Sequence, residues 1–223
     1  MRFWSGDAQN TKKIDINLCY EFHININNIP FMNKLISAID FAAVAHMRQR
    51  RKDAEKTPYI NHPIEVMHIL SNAGINDIDI LCGAVLHDTI EDCGITYDQI
   101  YEKFGKRVAD FVAECSDDKT QPKVTRKKQQ IEHAKTISIG AKLIKSADKL
   151  SNIKSLAHNP PVAWTDEEVV GYLDWSYAVH LGLRGNNSIL DTQLETIFSI
   201  RNLSGISQEE LDARVQTYYD HIG

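Results

Sequence analysis

The run Leu81-Cys82-Gly83-Ala84-Val85-Leu86-His87-Asp88-Thr89-Ile90-Glu91-Asp92 passes within a few residues from an unbroken apolar stretch to a dense cluster of ionisable groups. Apolar residues at Ile78, Leu81, Ala84, Val85 and Leu86 predict a helix from about Asp77 to Thr89. Folding carries the polar end of this run to the edge of the core, where clustered carboxylates are costly unless they are paired or hold a cation. His87 and Glu91 stand at i, i+4, as do Asp88 and Asp92, so one turn stacks two pairs of functional groups. Acidic residues at a helix C-terminus also oppose the macrodipole and call for a compensating charge. A solvated acidic helix end is the plain alternative, and two further clusters weigh against it.

The first is Lys142, Lys145, Asp148, Lys149 and Asn152. On a helix, Asp148 and Asn152 share a face at i, i+4, while the three lysines line an adjacent face. Alone, this pattern reads equally well as an exposed helix with local ion pairs worth about 0.3–0.5 kcal/mol each. The second is Pro58-Tyr59-Ile60-Asn61-His62-Pro63, where His62 is fixed at the entry to a helix. A lone histidine in that position is more often an ordinary polar residue than a ligand.

Around these clusters the pattern is helical. From Asn33, the residues Leu35, Ile36, Ile39, Ala42, Ala43 and His46 form one apolar stripe. A basic loop, Arg48 to Tyr59, leads to a helix from Pro63 that Gly74 ends. Capping boxes are expected at Thr96 with Gln99, Thr165 with Glu168, and Ser207 with Glu210. Helices are also expected at Tyr97–Phe104, Val108–Glu114 and Ile139–Leu156, the last stopped before Pro160-Pro161. No strand pattern emerges in the folded region, so the predicted class is all-α, in a single compact domain. The domain is expected over 33–205, after a loosely ordered extension (1–32) and before an extra C-terminal helix (206–223). In the extension, His23-Ile24-Asn25-Ile26-Asn27-Asn28-Ile29 alternates, but an isolated strand has nothing to pair with.

A chain of 223 residues, 43% hydrophobic and 25% charged, buries enough surface to fold without disulfides. Cys19, Cys82, Cys93 and Cys115 show no CxxC pairing, and no apolar run approaches the roughly 18–20 residues of a membrane span. The expectation is a reduced, cytoplasmic protein with no membrane partner. A net charge of −5 argues against nucleic acid as a partner. A small phosphate-bearing substrate then needs local basic residues or a metal to offset the global field.

Taken jointly, the motifs point to a family. Ala45-His46, Arg50-Arg51-Lys52-Asp53, Thr57-Pro58-Tyr59-Ile60-Asn61-His62-Pro63, Leu86-His87-Asp88-Thr89-Ile90-Glu91-Asp92, Asp117-Asp118-Lys119-Thr120 and Lys145-Ser146-Ala147-Asp148-Lys149-Leu150-Ser151-Asn152 follow one another in its order. Over roughly residues 33 to 205 the chain resembles the HD-domain superfamily of metal-dependent phosphohydrolases. Within it, the likeness is to the hydrolase domain of RelA/SpoT proteins and to the stand-alone metazoan form. The resemblance implies an HD-domain helical fold and a Mn²⁺-dependent (p)ppGpp 3′-pyrophosphohydrolase. Such an enzyme uses a metal-activated water to release pyrophosphate and leave GDP or GTP. It places His62, His87, Asp88 and Asp148 on the metal, with Glu91 and Asp92 activating or positioning the water. It assigns Arg51, Lys52 and Asn152 to the nucleotide and its phosphates. Lys142 and Lys145, with Lys123 and Arg126, are further candidates for the phosphates.

Two imidazoles and two carboxylates suit Mn²⁺, and ligand type leaves Fe²⁺ and Zn²⁺ open. The same site also suits a phosphatase acting on the 2′-phosphate of NADPH, an activity associated with metazoan members of the group. A non-catalytic nucleotide-sensing module is a third reading, although such modules typically lack a ligand or the acidic pair. The remaining length leaves no room for a synthetase domain, so a hydrolase-only protein, monomer or homodimer, is expected.

Overall fold

The computed structural model describes residues 29–223, with side chains from residue 32 onward. Eleven helices lie among them: α1 (Ile29–Ala45), α2 (Asn61–Asn72), α3 (Ile78–Leu86), α4 (Thr89–Cys93), α5 (Tyr97–Phe104), α6 (Lys106–Cys115), α7 (Lys123–Thr136), α8 (Ile139–His158), α9 (Asp166–Leu183), α10 (Ser188–Ile200) and α11 (Gln208–Ile222). The only extended pairing among the described residues is one antiparallel bridge, Arg50 with Pro58. The fold is therefore all-α. No helix among the described residues is long and apolar enough to cross a membrane. The alternating segment His23 to Asn28 lies outside the described residues.

Helix α3 organises the molecule. Asp77 caps it by accepting from the Asp79 and Ile80 amides, and every residue from Ile80 to Leu86 is buried. It has no polar face because it stands between two cores. Ile80, Leu81 and Ala84 join the larger one with α2, α6 and α8–α11, whereas Cys82, Val85 and Leu86 join a smaller one with α1, α5 and α6. Gly83 allows the close approach: a Cβ there would lie 2.9 Å from Ile144 Cδ1 and 3.2 Å from Phe111 Cβ.

The helix expected to run through Thr89 stops at Leu86. His87 and Asp88 form a turn, and a separate short α4 carries Glu91 and Asp92 to Gly94, whose left-handed φ of 69° ends it. The acidic pair thus sits on its own turn and not at the C-terminus of α3. Helix α1 begins at Ile29, four residues before the expected start, with Pro30 tolerated in a first turn whose amides need no partner. Capping boxes close at Thr96 and Thr165, and Ser207 accepts the Glu210 amide.

Two helices were not expected. Helix α7 is polar along its length, with Ala134 as its one buried residue. It is anchored instead by Trp175, whose Nε1 donates to the Lys127 carbonyl at 2.9 Å. Helix α10 buries Leu190, Leu194 and Phe198 at i, i+4, i+8. At the end of the chain, α11 puts Leu211, Val215, Tyr218 and Tyr219 into the larger core.

Candidate metal centre and active site

Three parts of the fold meet at the site: the first turn of α2 brings His62, the α3–α4 turn His87 and Asp88, and the middle of α8 Asp148. His62, His87 and Asp148 each offer a donor atom, all within 4.8 Å of one another. Asp148 Oδ1 lies 3.1 Å from His62 Nε2, and Asp88 Oδ2 lies 3.0 Å from His87 Nε2 and 3.8 Å from His62 Nε2.

Hydrogen bonds behind the site fix both rings. His87 Nδ1 donates to the Ala84 carbonyl at 2.8 Å, which leaves Nε2 bare, buried and without a hydrogen-bond partner. Ser151 Oγ donates to Glu65 at 2.9 Å and so accepts from His62 Nδ1, also at 2.9 Å, which turns His62 Nε2 inward. Two imidazole lone pairs thus face two carboxylates, an arrangement that calls for a positive charge between them. Burial disfavours the charged form of His87, but Asp88 and then Asp148 outweigh it and push its pKa up to about 9. The Asp148 carboxyl, despite burial, is held well below the usual range by Lys149 and His62. Two neutral imidazoles with two carboxylates fit a divalent cation, which supplies that charge without a proton.

The carboxylates are fixed as well. Tyr59 donates its hydroxyl to Asp88 Oδ2 at 2.7 Å, while Asn152 and Lys149 donate to Asp148 at 2.6 and 3.0 Å. One turn on, Glu91 accepts the Asp117 amide at 3.0 Å, and burial is the main cause that raises its pKa. Asp92 accepts from Gln49 Nε2 at 2.6 Å and is paired with Lys119.

His62, His87, Asp88 and Asp148 form the wall of a cavity of about 150 Å³ that Lys127, Lys145 and Lys149 also line. It shares Tyr59, Glu91, Lys127, Asn152 and Tyr172 with an outer cleft of about 480 Å³. Arg51, Lys52 and Arg126 line that outer cleft, and Arg51 reaches Asn152 Oδ1 at 3.3 Å. Lys145 is buried in the inner cavity and donates to the Cys115 carbonyl at 3.0 Å. Two expected phosphate contacts are placed elsewhere. Lys142 spends its ammonium on the Lys135 and Gly182 carbonyls, at 3.1 and 3.0 Å. Lys123 is exposed on the first turn of α7, and neither cleft is lined by it.

Several residues that shape the site carried no role in the sequence reading. Tyr59, Gln49 and Lys119 hold the acidic groups. Lys127 is pushed well below the usual lysine range by burial and then by Lys149, and its ammonium lies 3.4 Å from the Trp175 ring centroid. Tyr59 and Lys119 stood inside quoted motifs. Lys127 had no signal, because it lies on a helix without an apolar stripe.

An all-helical body with two imidazoles and two carboxylates on the wall of a basic cleft is the architecture of a metal-dependent hydrolase. The sequence model of the HD domain family matches residues 38–169. The guanosine-3′,5′-bis(diphosphate) 3′-pyrophosphohydrolase MESH1 of Mus musculus is 48% identical over 172 residues, 77% of this chain and 96% of that protein. Its Homo sapiens counterpart shows the same identity and coverage. A solved structure described as a metazoan ortholog of SpoT that hydrolyzes ppGpp superposes with a TM-score of 0.74 at 43% identity, over 76% of this chain and 96% of that one. This chain belongs to the HD-domain family.

Proposed function

We propose that the protein is a guanosine-3′,5′-bis(diphosphate) 3′-pyrophosphohydrolase that takes ppGpp or pppGpp and water to GDP or GTP and pyrophosphate. One observation carries this reading: four ligand-type side chains converge beside a cleft that Arg51, Lys52 and Arg126 line. Sequence identity of 48% with relatives bearing that name supports it. HD domains are metal-dependent, and His62, His87, Asp88 and Asp148 are the residues that would hold the ion, which we assign as Mn²⁺. Once bound, such an ion lowers the pKa of a water and offsets charge on the phosphoryl oxygens.

The remaining work falls to the chain. Glu91, whose pKa is raised chiefly by burial, is the group that would accept a proton from the attacking water. Asp92, clamped by Gln49 and Lys119, orients that water. Arg51, Lys52 and Arg126 offer cationic groups to the diphosphate in a chain whose net charge is otherwise negative. Asn152 joins the metal site to the nucleotide cleft through its bonds to Asp148 and Arg51. Tyr172 and Trp164 give the outer cleft an aromatic wall suited to a base. Free thiols at Cys82, Cys93 and Cys115 accord with a reducing, cytoplasmic setting.

The test is a product assay on the purified chain with Mn²⁺ added or chelated, run in parallel on ppGpp and NADPH. Pyrophosphate release from ppGpp that requires Mn²⁺ and disappears in a folded Asp88→Ala variant is expected. A higher kcat/KM on NADPH would reassign the substrate, and full activity of Asp88→Ala would overturn the site.

A further inference from the structure

Asp92 is held through a chain of two side chains that lies outside the metal site. Gln49, in the loop after α1, donates from Nε2 to Asp92 Oδ2 at 2.6 Å. Its other amide atom, Oε1, lies 2.7 Å from His46 Nδ1. His46 is 1% exposed.

The polarity of this chain follows from its end. An ionised carboxylate only accepts hydrogen bonds, so the amide must present nitrogen to Asp92 and oxygen to His46. His46 Nδ1 must then carry the proton. A glutamine amide has nearly the same shape either way round, and turned by half it would set an oxygen against the carboxylate. Two donors oppose the turned form: the Nδ1–H of His46 at 2.7 Å and, more weakly at 3.8 Å, the Cys93 thiol, whose Sγ also lies 3.2 Å from His46 Nδ1. The second partner of Asp92, Lys119, has a half-exposed side chain and is a weaker anchor for that reason. Backbone bonds keep the chain in register: the Gln49 amide donates to the His46 carbonyl at 2.9 Å, and the Tyr59 amide to the Gln49 carbonyl at 3.2 Å. The His46 ring also packs against Tyr59, tilted by 30° with centroids 5.0 Å apart, behind the hydroxyl that holds Asp88.

We infer that His46 is a positioning residue: it locks the Gln49 amide in one orientation and, through it, the Asp92 carboxylate. This inference rests on the role given to Asp92 in the proposed function. A misplacement of about 1 Å in such a group costs on the order of 100-fold in rate.

Two substitutions separate positioning from packing. Asparagine at position 46 keeps an N–H near Nδ1 but removes bulk, whereas leucine keeps bulk and removes the donor. At saturating Mn²⁺, His46→Leu is expected to lower kcat on ppGpp by about 10- to 100-fold with KM little changed, and His46→Asn to retain most of it. Gln49→Leu should match His46→Leu, and the double variant should be no worse than either. Equal losses in the Leu and Asn variants, or losses that multiply in the double variant, would overturn the inference.

A second readout needs no substrate. In nitrogen-resolved NMR of the full chain, the Gln49 side-chain amide proton bound to Asp92 should lie downfield in wild type and His46→Asn. In His46→Leu it should move to the free-amide position. An unmoved resonance in His46→Leu overturns the lock even if turnover falls. Absence of wild-type turnover on ppGpp would instead count against the proposed function, with the amide resonance still deciding the lock.

Discussion

At the scale of single residues, the site is governed by atoms that touch no ligand position. His87 can present a bare Nε2 because its other nitrogen is committed to the Ala84 carbonyl, and His62 does the same through Ser151 and Glu65. Tyr59 plays the matching part for Asp88. Tyr59→Phe removes one hydroxyl and leaves the ring packed against His46, so it should weaken Mn²⁺ binding by about 10- to 100-fold without unfolding the chain. Metal titration of the purified variant, with circular dichroism as the folding control, checks this. His62 was the candidate ligand least legible from its surroundings in sequence. Its ring is oriented by Ser151, which lies on α8 far from it in the chain and donates in turn to Glu65 one turn along α2, so only folding brings ring and hydroxyl together.

At the scale of elements, helix packing decides both stability and its pH dependence. Helix α9 meets α11 at Gly171, where an added Cβ would fall 2.5–2.9 Å from Cδ2, Cβ and Cγ of Tyr218. The Tyr218 Cβ moves only with its backbone, so Gly171→Ala should cost about 1–3 kcal/mol. It should lower the urea midpoint with the slope unchanged. The same helix holds His180, wholly buried between Tyr177 and Phe198 with Glu195 at 3.3 Å. Burial lowers its pKa below the usual 6.5 although Glu195 pulls the other way. A depressed folded pKa means that the stability linked to His180 is complete above that usual value and is lost as pH falls through the folded one. Wild type should therefore lose more urea stability than His180→Phe between about pH 7.5 and about pH 5.5.

At the scale of the whole molecule, the proposed ion would tie α2, the α3–α4 turn and α8 together, adding to side-chain packing and to the hydrogen bonds that Ser151 makes with His62 and Glu65. An ion bound only by the folded chain stabilises it by about 2.7 kcal/mol at a free concentration about 100 times Kd. For a chain of this size that corresponds to a Tm rise of about 5–10 °C. Thermal scans with Mn²⁺ and with chelator should show this difference, and Asp148→Asn should abolish most of it. A wild-type Tm indifferent to every divalent ion would count against the metal centre.

The helical class, most helix starts and the order of the motifs were written in periodicity and capping residues, because these are local: each depends on neighbours three or four positions away. His87-Asp88 was conspicuous for the same reason, as a polar cluster directly after an apolar helix. Helix α3 stops at Leu86, where the His87 ring turns back to the Ala84 carbonyl and the Thr89 hydroxyl takes the Leu86 carbonyl. Two things were decided only by tertiary structure. Lys142 turns to backbone carbonyls while Lys145 and Lys149 enter the cavity, although all three share one helix and one spacing. Lys127 reaches the cavity from a helix with no apolar stripe, because Trp175 supplies the surface its side chain packs on. Each of these outcomes depends on what another element places opposite the residue, and helical spacing carries no information about that.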